Sequence, residues 1–195
     1  MEHNNLLSEE AEEAIWKKIS ADLNESDPLD YQVFIDYKGR QISLNIDIDL
    51  GGGFEGGYAV TSFSSLMHKH DDFRFAIHRE DFIDEIGKFF GMQDVVVGYP
   101  EFDKRIIIKT NSPEKVKEVF ESAQVRELLQ SLEHFSFGIV LHHVADSDYK
   151  EPFLELVIED GITDVGALRK IYNAFTHVLS IVDGIYNNNK KVIEE

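Results

Sequence analysis

The amino-acid sequence predicts an α+β fold in which helices pack on one face of a mainly antiparallel β-sheet, with an N-terminal helix appended. Two observations support this class. Short runs in which apolar and polar residues alternate occur in pairs, as is typical of half-buried antiparallel strands. Stretches with helical periodicity lie between the pairs, but too sparsely for repeated βαβ units, so a parallel sheet is not expected.

The first predicted element is a helix from Ser8 to about Leu23. Ser8 suits the N-terminal cap position because its hydroxyl can accept a hydrogen bond from a free first-turn N–H. A polar linker follows this helix, so we expect residues 1–27 to form a separable helical extension. The rest of the chain is expected to form a single α+β domain, 28–186, and a frayed tail, 187–195.

Period-two alternation predicts two strands joined by a tight turn at Lys38-Gly39. A glycine-rich connection follows them, and further strands alternate with helices along the rest of the chain. The predicted strand segments lie near residues 31–37, 43–49, 58–66, 73–77, 106–108, 135–141 and 154–158.

Apolar residues at helical spacing predict three further helical regions. The first covers residues 82–90. The second starts at Ser112-Pro113, a capping serine followed by proline at the first helical position, and has a break near Ser122. The third begins at residue 163 or 164 and carries the longest apolar stripe of the chain.

Composition limits the classes of function. The chain has 37 acidic and 19 basic residues, a net charge of −18, and no cysteine. A negative field repels nucleic acid and anionic lipid, so neither is an expected partner. Thiol catalysis and cysteine-ligated metals are excluded. The sequence shows no signal-peptide pattern and no run near the roughly 18 apolar residues of a membrane span, so we expect a cytoplasmic location.

One cluster has the residue types of a metal site. His68 and His70 alternate on an extended segment, and Asp71 follows them. Two imidazoles and a carboxylate are the minimal donor set for zinc or iron. The interpretation that we favour is that these are surface or structural histidines, and no cofactor is expected.

A second candidate site is the loop that contains Asp94, Tyr99, Asp103 and Arg105. The two aspartates are placed to accept backbone N–H bonds within the loop, and Arg105 or the preceding lysine to neutralise one of them. A structural loop is the favoured interpretation, and a ligand pocket is the alternative.

The same stretch carries a motif, G-x-x-x-G-x-Q-D followed by G-x-P-x-F-D-[KR], from Gly87 to Lys104. It resembles a family of bacterial proteins of unknown function over about residues 70–185. The resemblance implies a folded module and no particular chemistry, because that family has no activity to transfer.

These observations favour a non-enzymatic binding module with no catalytic residues. The expected partner is a protein, either a different chain or a second copy in a homodimer, bound through the acidic surface or a sheet edge. The alternative is a small-molecule-binding or metal-dependent enzyme that uses the His68, His70 and Asp71 cluster or the Asp94–Asp103 loop.

Overall fold

The fold was examined in a computed structural model of the 195-residue chain. The structure describes residues 2–25, 29–52, 56–67, 72–79, 92–143 and 149–193. The helix predicted over residues 82–90 and residues 87–91 of the bacterial motif lie outside these ranges.

The described residues form five helices and eight strands. The helices are α1 Glu2–Glu25, α2 Pro100–Asp103, α3 Pro113–Val119, α4 Ala123–Ser131 and α5 Val165–Ile193. The strands are β1 Asp30–Tyr37, β2 Arg40–Asp49, β3 Tyr58–Leu66, β4 Phe75–Arg79, β5 Gln93–Val95, β6 Ile106–Thr110, β7 Phe135–His143 and β8 Lys150–Ile158.

All eight strands belong to one antiparallel sheet in the order β1-β2-β3-β8-β7-β4-β6-β5. Sequence neighbours form β1-β2-β3 and β7-β8, whereas β3 pairs with β8 and β4 with β7 across long stretches of chain. The fold is therefore α+β with a mainly antiparallel sheet, as the period-two alternation predicted.

The core lies between the sheet and the helices. Alternate side chains of each long strand are buried on this side, as Ile42, Leu44 and Ile46 show in β2. Phe175 of α5 contacts the rings of Phe63 and Phe137 on two different strands, each with centroids 6.0 Å apart. Aromatic contacts thus anchor the longest helix to the middle of the sheet.

The N-terminal helix begins at Glu2, so Ser8 lies inside α1 and the prediction that it caps the helix is wrong. The reason is local, since no Gly or Pro interrupts residues 2–7 and the helix can extend past the serine. The side chains of Trp16, Ile19 and Leu23 are buried in the common core. The Trp16 ring packs edge-on against Tyr172 of α5 at 5.3 Å.

Several helix and turn boundaries follow the predicted local chemistry. Lys38 and Gly39 both have positive φ, 52° and 78°, as a two-residue hairpin turn requires. Ser112 occupies the N-terminal cap position of α3 as predicted, but its hydroxyl donates to the Glu114 carboxylate at 2.6 Å and accepts no backbone N–H of the helix. Ser122 accepts the Val125 N–H at the start of α4. α2 was missed, because four residues give no readable period.

α5 begins at Val165, and the Asp164 carboxylate accepts the Ala167 N–H at 2.7 Å as an N-terminal cap. The start predicted at residue 163 or 164 is therefore correct to within one residue, with Asp164 as the cap and Val165 as the first helical residue. Its helical backbone continues to Ile193. None of the helices in the described ranges is long and apolar enough to cross a membrane.

Candidate functional site

The histidine–aspartate cluster predicted from the sequence, His68, His70 and Asp71, lies outside the described residues. Within the described ranges, no group of three or more His, Asp or Glu side chains is arranged to hold a metal ion. His142 of β7 instead contacts the Glu155 carboxylate of β8, with 3.0 Å between Nε2 and Oε2.

The loop before α2 is held together by Asp103. Its two carboxylate oxygens accept the backbone N–H groups of Val97 and Gly98, each at 2.9 Å. Gly98 has φ +95°, a backbone conformation that favours glycine. The Tyr99 carbonyl accepts the N–H groups of Phe102 and Asp103 and so starts α2. Both oxygens of the carboxylate are thus engaged in shaping the loop.

The other three residues of the predicted loop site have no contact partner in common. Asp94 forms an ion pair with Lys109 on the neighbouring strand, at 2.6 Å. The Tyr99 ring lies under the Arg126 guanidinium, whose carbon is 3.4 Å from the ring centroid. Arg105 is exposed. These contacts are typical of a structural loop.

On the sheet face opposite the core, here called the outer face, two serines lie side by side between larger residues. Direct cross-strand neighbours along one row are Phe34, Ser43, Ser64, Glu155 and Gly138, from β1 to β7. Because the two serines are small, the sheet surface is shallow between larger side chains. A groove results.

This outer-face groove has a volume of about 260 Å³. Its apolar walls are Phe34, which is 55% exposed, Leu66, which is 41% exposed, and the half-buried Phe153. The other lining residues are Gly39, Arg40, Gln41, Ser43, Ser64 and Ser65. The Arg40 guanidinium donates to the Leu66 carbonyl and pairs with Asp183, so its charge is already compensated.

The two edge strands of the sheet differ in length. β5, at one end, has only three residues, and short edge strands resist unwanted pairing. β1, at the other end, has eight residues and pairs only with β2 among the described strands. It contains no Pro, Lys or Arg, the residues that commonly protect an edge. β1 is therefore the long open edge of the sheet.

The hairpin turn determines which backbone groups of β1 are unpaired. Tyr37 and Arg40 flank the two-residue turn and form a hydrogen-bonded pair, and such pairs alternate along the ladder. The Leu29 carbonyl accepts the Ile48 N–H at 2.7 Å, so the same alternation of hydrogen-bonded pairs extends to the start of β1. Odd-numbered residues therefore bond to β2. The N–H and C=O groups of the even-numbered residues point away from the sheet; these residues are Asp30, Gln32, Phe34 and Asp36.

Carboxylates surround one end of this edge. Asp30 and Asp47 are direct cross-strand neighbours on the outer face. Tyr58 donates its hydroxyl to Asp47 at 3.0 Å. That bond and the negative charges of Asp47, Asp49 and Asp30 raise the pKa of Tyr58 above its ordinary value. The edge thus has a negative potential that favours a cation.

A second cavity, of about 440 Å³, lies between α4 and α5 on the helical side. Its titratable lining residues are Glu127, Lys170 and His177, and Val125, Leu128 and Ala174 supply apolar surface. The cavity is far from the open edge in the architecture, since the core separates the helices from the outer face.

The outer-face residues were missed by the sequence analysis, although a signal for them exists. Phe34 lies out of phase with the buried alternation of β1, which runs through Val33 and Ile35. Leu66 and Phe153 are likewise out of phase in their strands. An apolar residue on the polar side of an alternating strand indicates either a second covered face or a binding surface.

These features define an α+β domain with one long open sheet edge beside an apolar groove. No protein-family model, no curated protein and no solved structure matches this chain. Its function is therefore argued from the geometry of the edge and the outer face.

Proposed function

We propose that this protein is a non-enzymatic protein-interaction module that binds its partner by adding a strand of the partner to β1. The observation that carries the proposal is the open edge of β1, where alternate backbone N–H and C=O groups have no partner strand among the described residues. Strand addition is a recurring mode of peptide recognition in which main-chain hydrogen bonds supply affinity.

The edge offers enough hydrogen bonds for such binding. Four even-numbered residues present an N–H and a C=O each, and a hydrogen bond contributes about 0.5–1.5 kcal/mol net. The ordering of the added segment offsets part of this gain. Side-chain contacts with the exposed Phe34 on the outer face would supply the remainder.

Charge selects the class of partner. The edge carries Asp30 and Asp36, and the whole chain has a net charge of −18. Electrostatic complementarity speeds the encounter with a basic segment and disfavours acidic ones. The proposed partner is therefore a protein with an exposed, strand-forming segment that carries Lys or Arg.

The test replaces Gln32 by proline. Gln32 is exposed, and its N–H points away from β2, so Gln32→Pro removes one edge donor and leaves the β1–β2 ladder intact. The matched control is Gln32→Thr, which changes the side chain and keeps the N–H. Partners captured from a native lysate on the wild-type protein are compared on both variants.

We expect the partner to be retained by Gln32→Thr and lost by Gln32→Pro. Backbone amide exchange, measured by NMR, should be fast at Gln32 and Phe34 and slow at Val33 and Ile35 in the free protein. Binding should slow exchange at Gln32 and Phe34. Equal capture by both variants, or protected even-numbered amides in the free protein, would contradict strand addition at this edge.

A further inference from the structure

The structure points to the sequence pattern of the bound segment, an inference that rests on the proposed strand addition. We infer that the segment pairs antiparallel with β1 and places a bulky apolar residue opposite Phe34. It places Lys or Arg opposite Asp36 and Asp30. In the segment's own direction, the outer-face positions one, three and seven are then basic, apolar and basic.

The spacing follows from strand geometry. Asp30, Phe34 and Asp36 all point to the outer face, because side chains alternate along a strand. Residues directly opposite each other in an antiparallel pair have Cβ atoms about 4.5–5.5 Å apart, close enough for direct contact. The whole described sheet is antiparallel, so an antiparallel addition continues its pattern.

The apolar position is supported by the groove behind Phe34. Phe34 is 55% exposed, and Leu66 and Phe153 continue apolar surface from it across the sheet. The groove volume of about 260 Å³ is small for a drug-sized ligand, since such pockets measure about 300–1,000 Å³. An aromatic or long aliphatic side chain fits this surface better, and aromatic cross-strand pairs are stabilising.

The basic positions are supported by the charge at both ends of β1. Asp30 already has Asp47 as a like-charged cross-strand neighbour, an arrangement that disfavours a third carboxylate and favours a cation. A second copy of this chain would instead bring another net charge of −18 and another Asp30 and Asp36 to the same edge. The charge therefore favours a basic segment over self-pairing.

The probe is a capped, fluorescent seven-residue peptide with Lys at positions one and seven, Phe at position three and Gln at position five. Threonine occupies the even positions, as a strand-forming residue. Three variants carry Gln at both ends, Glu at both ends, or Ala at position three. Binding to the full chain is measured by fluorescence anisotropy at low and high salt.

We expect the peptide with Gln at both ends to bind about 4- to 25-fold more weakly, which is about two- to fivefold for each exposed ion pair that is lost. The Glu peptide should bind more weakly still, and the differences should shrink at high salt. The Phe-to-Ala change should weaken binding about fivefold. In the double variant Asp30→Asn, Asp36→Asn the preference for Lys should disappear. The control variant Glu118→Gln, Glu121→Gln, on the helical side, should keep it.

Backbone methylation separates this inference from the proposed function. An N-methyl group at position five removes the N–H that faces Gln32, whereas one at position four removes an N–H that points away from β1. If methylation at position five alone blocks binding but the Glu peptide binds as well as the Lys peptide, strand addition stands and the inferred pattern is overturned.

Three other outcomes are equally informative. If both methylated peptides bind equally and Gln32→Pro has no effect, the proposed function fails together with the inference. If no peptide binds at about 1 mM, the inferred pattern is overturned and the amide-exchange test alone decides on the edge. Dimers in sedimentation experiments that Gln32→Pro abolishes would identify a second copy as the occupant instead.

Discussion

Asp103 holds the loop before α2 together, and the effect of its removal on stability can be calculated. Its two oxygens accept the N–H groups of Val97 and Gly98 at 2.9 Å each. Hydrogen bonds to a charged group contribute about 1.5–3 kcal/mol, and ordinary ones about 0.5–1.5 kcal/mol. Val97 is only 7% exposed, so its bond takes the first value. The exposed Gly98 takes the second.

Asp103→Ala should therefore lower the free energy of unfolding by about 2–4.5 kcal/mol. Asp103→Asn keeps one acceptor oxygen and should lose about half as much. The assay is urea unfolding followed by circular dichroism. The m-value, the slope of the unfolding free energy against urea concentration, should be the same in all variants. An unchanged m-value shows that the mutation alters stability and not the surface area exposed on unfolding.

The matched control is Asp94→Ala in the same region. Asp94 forms a single ion pair with Lys109, and its own side chain is 72% exposed. Exposed ion pairs contribute about 0–1 kcal/mol, so this variant should be nearly as stable as the wild type. Equal losses for Asp103→Ala and Asp94→Ala would refute the argument that the paired backbone contacts organise the loop.

Two further predictions concern packing and pH. Gly138→Ala would place Cβ 2.4 Å from the Phe75 carbonyl oxygen, so it should lower the free energy of unfolding by at least about 2 kcal/mol. At Gly184 an added Cβ meets no atom within 4 Å, so Gly184→Ala should raise the free energy of unfolding by about 0.5–1 kcal/mol in the same urea assay. Burial, and then the bond to Asp22, raise the pKa of Tyr31 to about 12 from 10.0, so its contribution to stability is complete below pH 10 and falls between pH 10 and 12. Tyr31→Phe should show a shallower loss of stability over that interval, and identical slopes would contradict this assignment.

Local features of the fold could be predicted because they depend on neighbouring residues. The Lys38-Gly39 turn, the helix start at Ser112-Pro113 and the break at Ser122 each depend on residues within about one turn of chain. The period-two runs predicted the strands for the same reason, since alternation records which side of a strand is buried. α2 could not be found, because its four residues are shorter than the window that reveals a period.

The candidate site could not be predicted in this way, because it depends on residues that are distant in sequence. The sequence suggested a sheet edge as one possible binding surface but did not identify the strand, since every strand has the same unpaired backbone until its neighbours are known. Phe34, Leu66 and Phe153 come from strands far apart in the chain. Only the pairing of β3 with β8 brings the last two together, as direct cross-strand neighbours.

The sequence by itself determined the class of fold, most of its strands, the acidic charge and the absence of cysteine chemistry. The tertiary structure decided that β1 lies at the edge of the described sheet, that the backbone groups of its even-numbered residues point away from β2, and that a groove adjoins Phe34. The physical reason is that alternation and capping are local, whereas strand order depends on the packing of distant segments against a common core.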